Sequence, residues 1–334
     1  MTAALPIIDV APLARSDRAA RAHTAAEIDA ACCEFGFFAI TGHGVDTALR
    51  HRLDALAREF FERPDADKAE IAMAHGGAAW RGWFPLGGEL TSGRADQKEG
   101  LYFGSELPST DPRVRARLPL HGPNLFPNTP AQLRSTVLEW IDTMAALAEQ
   151  VLAGIALGLG LGDDWFTTNL TSDPTLLFRI FRYPPTSPGD AATNPWGVGE
   201  HTDYGLLTLL VHDGTPGLEV RTPDAQEWIE VPSDPELIVC NLGDMLDRMT
   251  EGRYRSTAHR VRNLADHDRL SFPFFYDPSW DAQVRPLPLT RDAVPDDRST
   301  RWDGTSLREL SGTYGEYLLG KVAKVFPELL RSIR

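Results

Sequence analysis

The sequence predicts a mainly β fold with helical additions: a sandwich, barrel or jelly roll preceded by a helical N-terminal part. Three observations predict it. After Asp173, short strand-like runs recur with turn signals between them, as in all-β sandwiches and barrels. Before Asp173, several segments repeat their apolar residues every three to four positions, the period of a helix buried on one face. The composition, 42% hydrophobic and 24% charged, is that of an ordinary globular chain with enough apolar material for a large core. No internal repeat or low-complexity linker divides the 334 residues, so one compact domain over 1–334 is expected. Within it, an N-terminal region 1–130 is distinguished from a jelly-roll region 175–280.

In chain order, Leu5–Val10 reads as a short strand and Ser16–Glu34 as an Ala-rich helix feeding the apolar run Phe35–Ile40. Gly42-His43-Gly44 forces a turn. A second helix, Asp46–Phe61, ends before Pro64, because proline disfavours helix in the residue before it. His75–Gly104 is rich in Gly and aromatic residues and reads as loops and short strands that line a pocket. Thr129-Pro130-Ala131-Gln132 reads as a helix start, with Thr129 as N-cap and Gln132 closing a capping box. The stripe Leu133, Val137, Ile141, Met144, Ala148, Val151 and Ile155 that follows is a packing face. The strand-like runs are Leu176–Tyr183, Leu206–Val211, Gly217–Arg221, Leu237–Cys240, His259–Val261 and Arg269–Tyr276, and Leu307–Val325 reads as a closing helix.

The net charge of −14 repels a phosphate backbone, and no Lys/Arg-rich run offsets it, so nucleic acid is not an expected partner. The three cysteines form neither a disulfide framework nor a pair of CxxC clips and are read as reduced core residues. The N-terminus lacks a basic and apolar leader, and the most apolar window, Val151–Leu161, is short and broken by glycines. The expectation is a cytoplasmic protein without a membrane partner. No apolar stripe is left over for self-association, so a monomer is expected.

The chemistry-bearing residues lie in the second half. In an extended chain, residues i and i+2 share a face, so His201 and Asp203 offer an imidazole nitrogen and a carboxylate to one ion. His259, at the mouth of another strand, is the candidate third ligand. Two imidazoles and one carboxylate on one face of a metal leave positions open, the facial arrangement of non-haem iron(II) oxygenases. Arg269 and Ser271 share a face by the same period, and a guanidinium fork beside a hydroxyl suits bidentate capture of a carboxylate. Tyr183 can add a phenol to that carboxylate. For substrate contacts the candidates are Arg81, Trp83, Phe84, Tyr102, Arg179 and Phe275, with Trp80, Phe103 and Tyr276 beside them. His212-Asp213-Gly214 reads as a turn, the remaining histidines lack partners at ligand spacing, and Asn241 and Asp244 read as turn formers.

The joint pattern resembles the isopenicillin N synthase-like branch of the iron(II)/2-oxoglutarate-dependent dioxygenases. It is carried by His201-Thr202-Asp203 with Gly205-Leu206-Leu207-Thr208-Leu209, Gly217-Leu218-Glu219-Val220, Asn241-Leu242-Gly243-Asp244, Gly252 to Val261, and Arg269-Leu270-Ser271. In the N-terminal half it is carried by Leu5-Pro6-Ile7-Ile8-Asp9, Gly36-Phe37-Phe38, Gly42-His43-Gly44 and Phe60-Phe61. The resemblance implies a double-stranded β-helix (jelly-roll, cupin-like) core, with 1–130 as a non-haem dioxygenase N-terminal region and 175–280 as the iron/2-oxoglutarate-binding region. It implies Fe(II) on His201, Asp203 and His259, with 2-oxoglutarate and O2 as cosubstrates. The far carboxylate of 2-oxoglutarate would be held by Arg269, Ser271 and Tyr183. A small molecule would be hydroxylated, desaturated or cyclised with release of succinate and CO2. Phe181 departs from the pattern, since many relatives carry Asn there. An isopenicillin N synthase-like iron oxidase that uses O2 without 2-oxoglutarate is the alternative within the same motifs. A non-catalytic jelly-roll binding protein is the alternative outside them.

Overall fold

The computed structural model describes residues 4–91, 93–186, 196–222, 227–289, 298–299, 301, 304 and 306–325. Its strands are β1 (Ile7–Asp9), β2 (Phe37–Thr41), β3 (Gly82–Phe84), β4 (Leu90–Thr91), β5 (Arg94–Ala95), β6 (Glu99–Gly104) and β7 (Pro174–Tyr183). Then follow β8 (Val198–His201), β9 (Leu207–His212), β10 (Leu218–Arg221), β11 (Trp228–Glu230), β12 (Ile238–Leu242), β13 (His259–Val261) and β14 (Arg269–Ser279). A major sheet runs β1-β2-β12-β9-β14-β7-β6-β3, a minor sheet runs β11-β10-β13-β8, and β4-β5 is a separate hairpin.

From β7 onward the chain alternates between the two sheets. β7, β9, β12 and β14 lie in the major sheet, and β8, β10, β11 and β13 in the minor one. That winding is a double-stranded β-helix, and it places the inner faces of two sheets around one space. The register of β7 against β14 sets which side chains enter it: Arg269 pairs Tyr183, Ser271 pairs Phe181 and Phe275 pairs Leu177. With a period of two, Leu177, Arg179, Phe181 and Tyr183 all point inward, as do Arg269, Ser271, Pro273, Phe275 and Asp277.

Helices cover the outer face of the major sheet. Arg18–Glu34 and Thr47–Phe61 start where Asp17 and Asp46 accept hydrogen bonds from main-chain N–H groups of the first turn, Asp17 from Ala19 and Ala20 and Asp46 from Ala48. The long helix Leu133–Gly158 buries the expected stripe and adds Trp140 and Leu147. By length and apolar content alone it is a candidate to cross a membrane, but half of its most apolar window is buried inside this fold.

Several expectations need correction. The long helix begins at Leu133, with Gln132 at its N-cap and no side-chain cap. Thr129 cannot be that cap: the first helical bond runs from Thr136 N–H to the Gln132 carbonyl, and the Thr129 carbonyl is taken by Arg63 Nη1. The closing segment is split into a short 3-10 turn, Leu307–Glu309, and the helix Tyr314–Val325, with Gly312 at φ +91° breaking the run. Cys32 and Cys240 are buried, but Cys33 is exposed, because successive helical residues point about 100° apart.

β6 joins the N-terminal half to the cavity wall. Glu99 at its start accepts from Lys68 Nζ at 2.7 Å, the Trp83 indole N–H at 2.8 Å and Arg182 Nη1 at 2.6 Å. Lys68 is itself buried, and its other acidic partner is the exposed Asp65. Glu99→Leu therefore strands a buried ammonium and is expected to cost about 3–5 kcal/mol of stability, read from the urea midpoint. A loss below about 1 kcal/mol would mean that the cluster is neutralised by solvent.

Candidate metal and cosubstrate site

The minor sheet brings the two histidines together: His201 ends β8, His259 opens β13, and the two are direct cross-strand partners. Asp203 lies two residues past β8. Its Oδ1 is 3.9 Å from His201 Nε2 and 3.7 Å from His259 Nε2, and the three ligand atoms lie within 4.8 Å of one another. Each imidazole is oriented by its other nitrogen. His201 Nδ1 lies 2.8 Å from the Gly199 carbonyl and His259 Nδ1 lies 3.1 Å from the Thr257 carbonyl, so Nδ1 carries the proton and Nε2 presents its lone pair. Burial lowers the pKa of both rings, that of His259 to about 4 with the neighbouring His201 adding to the effect, so both are neutral at neutral pH.

The carboxylate is oriented in the same way. Asp203 Oδ2 accepts from Thr208 Oγ1 and from Asn241 Nδ2, both at 2.6 Å, which leaves Oδ1 for an ion. Asn241 is thus no turn former; it sits on β12 with its amide aimed across the cavity floor. Asp244, likewise misread, opens the helix Asp244–Met249, and its main-chain N–H donates to the Asp203 carbonyl. Two neutral imidazoles and a carboxylate converging from one side fit a divalent iron with its remaining positions open. Asn241→Leu leaves Oδ2 with one donor and is expected to weaken iron(II) affinity about 10–100-fold, measured by metal titration, with the fold retained.

These residues line a cavity of about 640 Å³. At one end stands Arg269, 1% exposed, its Nε donating to the Thr215 carbonyl at 3.2 Å and its Nη1 buried without a partner. Ser271 Oγ lies 3.3 Å from the Tyr183 hydroxyl, and the Arg269 guanidinium sits 5.0 Å from the Tyr183 ring. His212, opposite Ser271 on β9, is buried beside Arg269; burial and that positive charge lower its pKa to about 4. A fixed, unneutralised guanidinium beside two hydroxyls is what a carboxylate requires. Phe181 places a ring in the cavity wall, with Lys98 Nζ 4.5 Å from its centre.

Of the substrate candidates, Tyr102, Arg179 and Phe275 line the cavity, and so does Trp80. Arg81, Trp83 and Phe84 do not. Positive φ at Trp80 (51°) and Gly82 (115°) turns the chain, so alternation along the loop no longer tells which side chains face inward. Arg81 is buried behind β6, bonded to the Leu120 carbonyl and pressed on Gly104, where a Cβ would lie 2.2 Å from Nη2. Trp83 joins the Glu99 cluster, and Phe84 backs the rings of Tyr102 and Phe181. Phe103 stacks on Phe126 and Phe178, and the Tyr276 hydroxyl donates to Glu149, both away from the cavity.

Asp277 was not anticipated. It lines the cavity, accepts from Tyr314 Oη at 2.6 Å and from Leu206 N–H at 3.1 Å, and burial raises its pKa to about 7. Its folded pKa lies above the ordinary value of 3.8, so the folded state binds the extra proton between those limits. Its contribution to stability is therefore present at low pH and is lost as pH rises through about 7. Asp277→Asn is expected to gain stability relative to the parent between pH 5 and pH 8, read from thermal unfolding at both. An unchanged difference would place the proton elsewhere.

Comparison with known proteins points to one family. Residues 5–129 match the non-haem dioxygenase in morphine synthesis N-terminal family, and residues 174–278 match the 2OG-Fe(II) oxygenase superfamily. A Dictyostelium discoideum protein named "Probable iron/ascorbate oxidoreductase" is 42% identical, over 98% of this chain and 96% of its own. A homoarginine-6-hydroxylase of Glycine max is 35% identical, over 97% of this chain and 98% of its own. A full-length Neurospora crassa protein solved in complex with α-ketoglutarate superposes with a TM-score of 0.78 at 25% identity, covering 96% of both chains.

Proposed function

The chain belongs to the 2OG-Fe(II) oxygenase superfamily, and on that premise we propose that His201, Asp203 and His259 hold its iron and that Arg269, Ser271 and Tyr183 hold its 2-oxoglutarate. It is an iron(II)- and 2-oxoglutarate-dependent oxygenase acting on a small molecule. Bound in the cavity, iron and the keto acid together supply dioxygen activation coupled to decarboxylation, with succinate and CO2 as products. Everything else is done by the chain. Asp203, held by Thr208 and Asn241, keeps one oxygen aimed at the two imidazoles. Arg269, with Ser271 and Tyr183, would hold the keto acid by its far carboxylate. Leu177, Phe181, Pro273 and Phe275 supply the apolar part of the inner faces of β7 and β14 and would help to keep water from the reacting centre.

The observation that carries this reading is Arg269: a buried cation with a free Nη1, opening into the same cavity as the triad and forming no ion pair among the described residues. Such a charge is costly unless an anion completes it. Tyr102, Arg179 and Phe275 form the substrate wall, and the reaction is oxidation of a substrate carbon. The net charge of −14 supports action without nucleic acid, and we place the enzyme in the cytoplasm as a monomer. The test is succinate release from 2-oxoglutarate, assayed with and without iron(II) and a panel of small molecules. Release that needs iron and rises with particular panel members supports the reading; release independent of iron contradicts it.

A further inference from the structure

Among the described residues two buried arginines open into the cavity, and 2-oxoglutarate would account for only one. The other is Arg179 on β7, 7% exposed. Its guanidinium carbon lies over the Tyr102 ring, 3.5 Å from the centroid, and 5.9 Å from the Phe275 centroid. Nη1 donates to the main-chain carbonyls of Phe103 and Phe178, at 3.1 and 3.2 Å, which fixes the fork; Glu89 and Asp277 act on its charge from nearby, but neither forms an ion pair with it. No ion pair involves Arg179 among the described residues.

The carboxylates that line the cavity are already committed. Glu89 pairs with Lys98 Nζ at 2.9 Å and accepts from Tyr102 Oη. Asp203 belongs to the metal triad, and Asp277 accepts from Tyr314 and Leu206. The other buried cation, Lys98, is held by Asp96 as well as Glu89, and Lys321 is paired with Asp244. Lys324 stands exposed at the rim. Among the described residues, a molecule entering therefore meets one buried cation besides Arg269 outside any ion pair, apolar walls from Leu120, Leu177 and Phe275, and carboxylates that already hold a partner.

From this juxtaposition we infer that the substrate is a carboxylic acid with an uncharged, apolar body, its carboxylate held by Arg179 against Tyr102. The inference rests on the oxygenase reading and narrows it. An ammonium or guanidinium on the substrate would be buried beside the Arg179 guanidinium and would have to take Glu89 or Asp277 from the partners they already hold, an arrangement that burial penalises heavily. A neutral amide in place of the acid would leave Arg179 as it is now, without an ion pair.

The test uses matched probes on the anaerobic iron(II) protein saturated with 2-oxoglutarate: 3-phenylpropionate, 3-phenylpropionamide and phenylalanine, and octanoate, octanamide and 2-aminooctanoate. Binding is read from perturbation of the keto-acid charge-transfer band and from tryptophan fluorescence, since Trp80 lines the cavity. At least one acid is expected to bind about tenfold or more tighter than both its amide and its amino acid, about 1.4 kcal/mol. Arg179→Met should erase that preference and Arg179→Lys should restore part of it, with the affinity for 2-oxoglutarate unchanged in both. Amides or amino acids binding as tightly as the acids, no acid binding, or a preference that survives Arg179→Met would overturn the inference. Absence of the 2-oxoglutarate band in the parent protein would overturn the oxygenase reading instead, and the inference with it.

Discussion

Removing one metal ligand is expected to abolish iron binding and turnover together while the chain stays folded. His201→Ala is the cleanest case. The His201 ring is 22% exposed, packs on the His259 ring and makes its hydrogen bond to the Gly199 main-chain carbonyl, so its loss leaves no buried side-chain donor without its acceptor. Loss of a partner that merely orients a ligand costs about 10–100-fold in metal affinity, so loss of a ligand should exceed about a hundredfold. Asp203→Ala should do the same chemically, but at a cost to the fold. Thr208 and Asn241 would each keep a buried donor without its acceptor, at about 1–3 kcal/mol apiece. Iron titration followed by anaerobic dialysis, beside a thermal melt, separates the two effects. Retained iron in either variant would remove that residue from the site.

The second large effect is expected at Arg269. Truncating one partner of a buried, hydrogen-bonded charge pair costs about 2–5 kcal/mol, so Arg269→Met should raise the 2-oxoglutarate requirement by about thirtyfold to several thousandfold. Iron affinity should hold, since Arg269 touches none of the three ligands. Ser271→Ala should show the same direction with a smaller amplitude, because it removes one neutral hydroxyl. The check is the KM for 2-oxoglutarate at saturating iron in both variants. A change in kcat alone, with KM unmoved, would assign Arg269 a role in shaping the cavity.

Much of this was legible in the sequence wherever the relevant distance is short along the chain. His201 and Asp203 are two residues apart, Arg269 and Ser271 are two residues apart, and the period of an extended chain puts each pair on one face. His259 was legible because an apolar strand begins at it. What the sequence concealed is set by pairings between distant strands. Asn241 reaches Asp203 only because β12 lies beside β9 in the major sheet, so an Asn before Leu-Gly-Asp looked like a turn. Asp277 was hidden at the far end of β14, in line with the cavity-facing set but beyond the run read as strand.

The substrate wall shows where pattern reading fails. Arg81 belongs to a Gly/aromatic loop, yet positive φ at Trp80 and Gly82 rotates it behind β6, whereas Arg179, on a regular strand, faces the cavity as alternation requires. Regular backbone makes side-chain direction predictable; a left-handed residue every other position does not. The helix Tyr314–Val325 closes the cavity with Leu318 and Lys321 and is fixed through the Tyr314 and Tyr317 hydroxyls to Asp277 and Asp244, contacts between residues more than thirty positions apart.

The central claim is that one cavity takes iron on its triad and 2-oxoglutarate on Arg269 at the same time. The measurement that tests it most directly is an anaerobic titration of the iron(II)-loaded protein with 2-oxoglutarate, followed in the visible region. The arrangement predicts a weak, saturable metal-to-ligand charge-transfer band that is absent without iron and requires far more keto acid in Arg269→Met. Iron bound normally with no band at any 2-oxoglutarate concentration would contradict it.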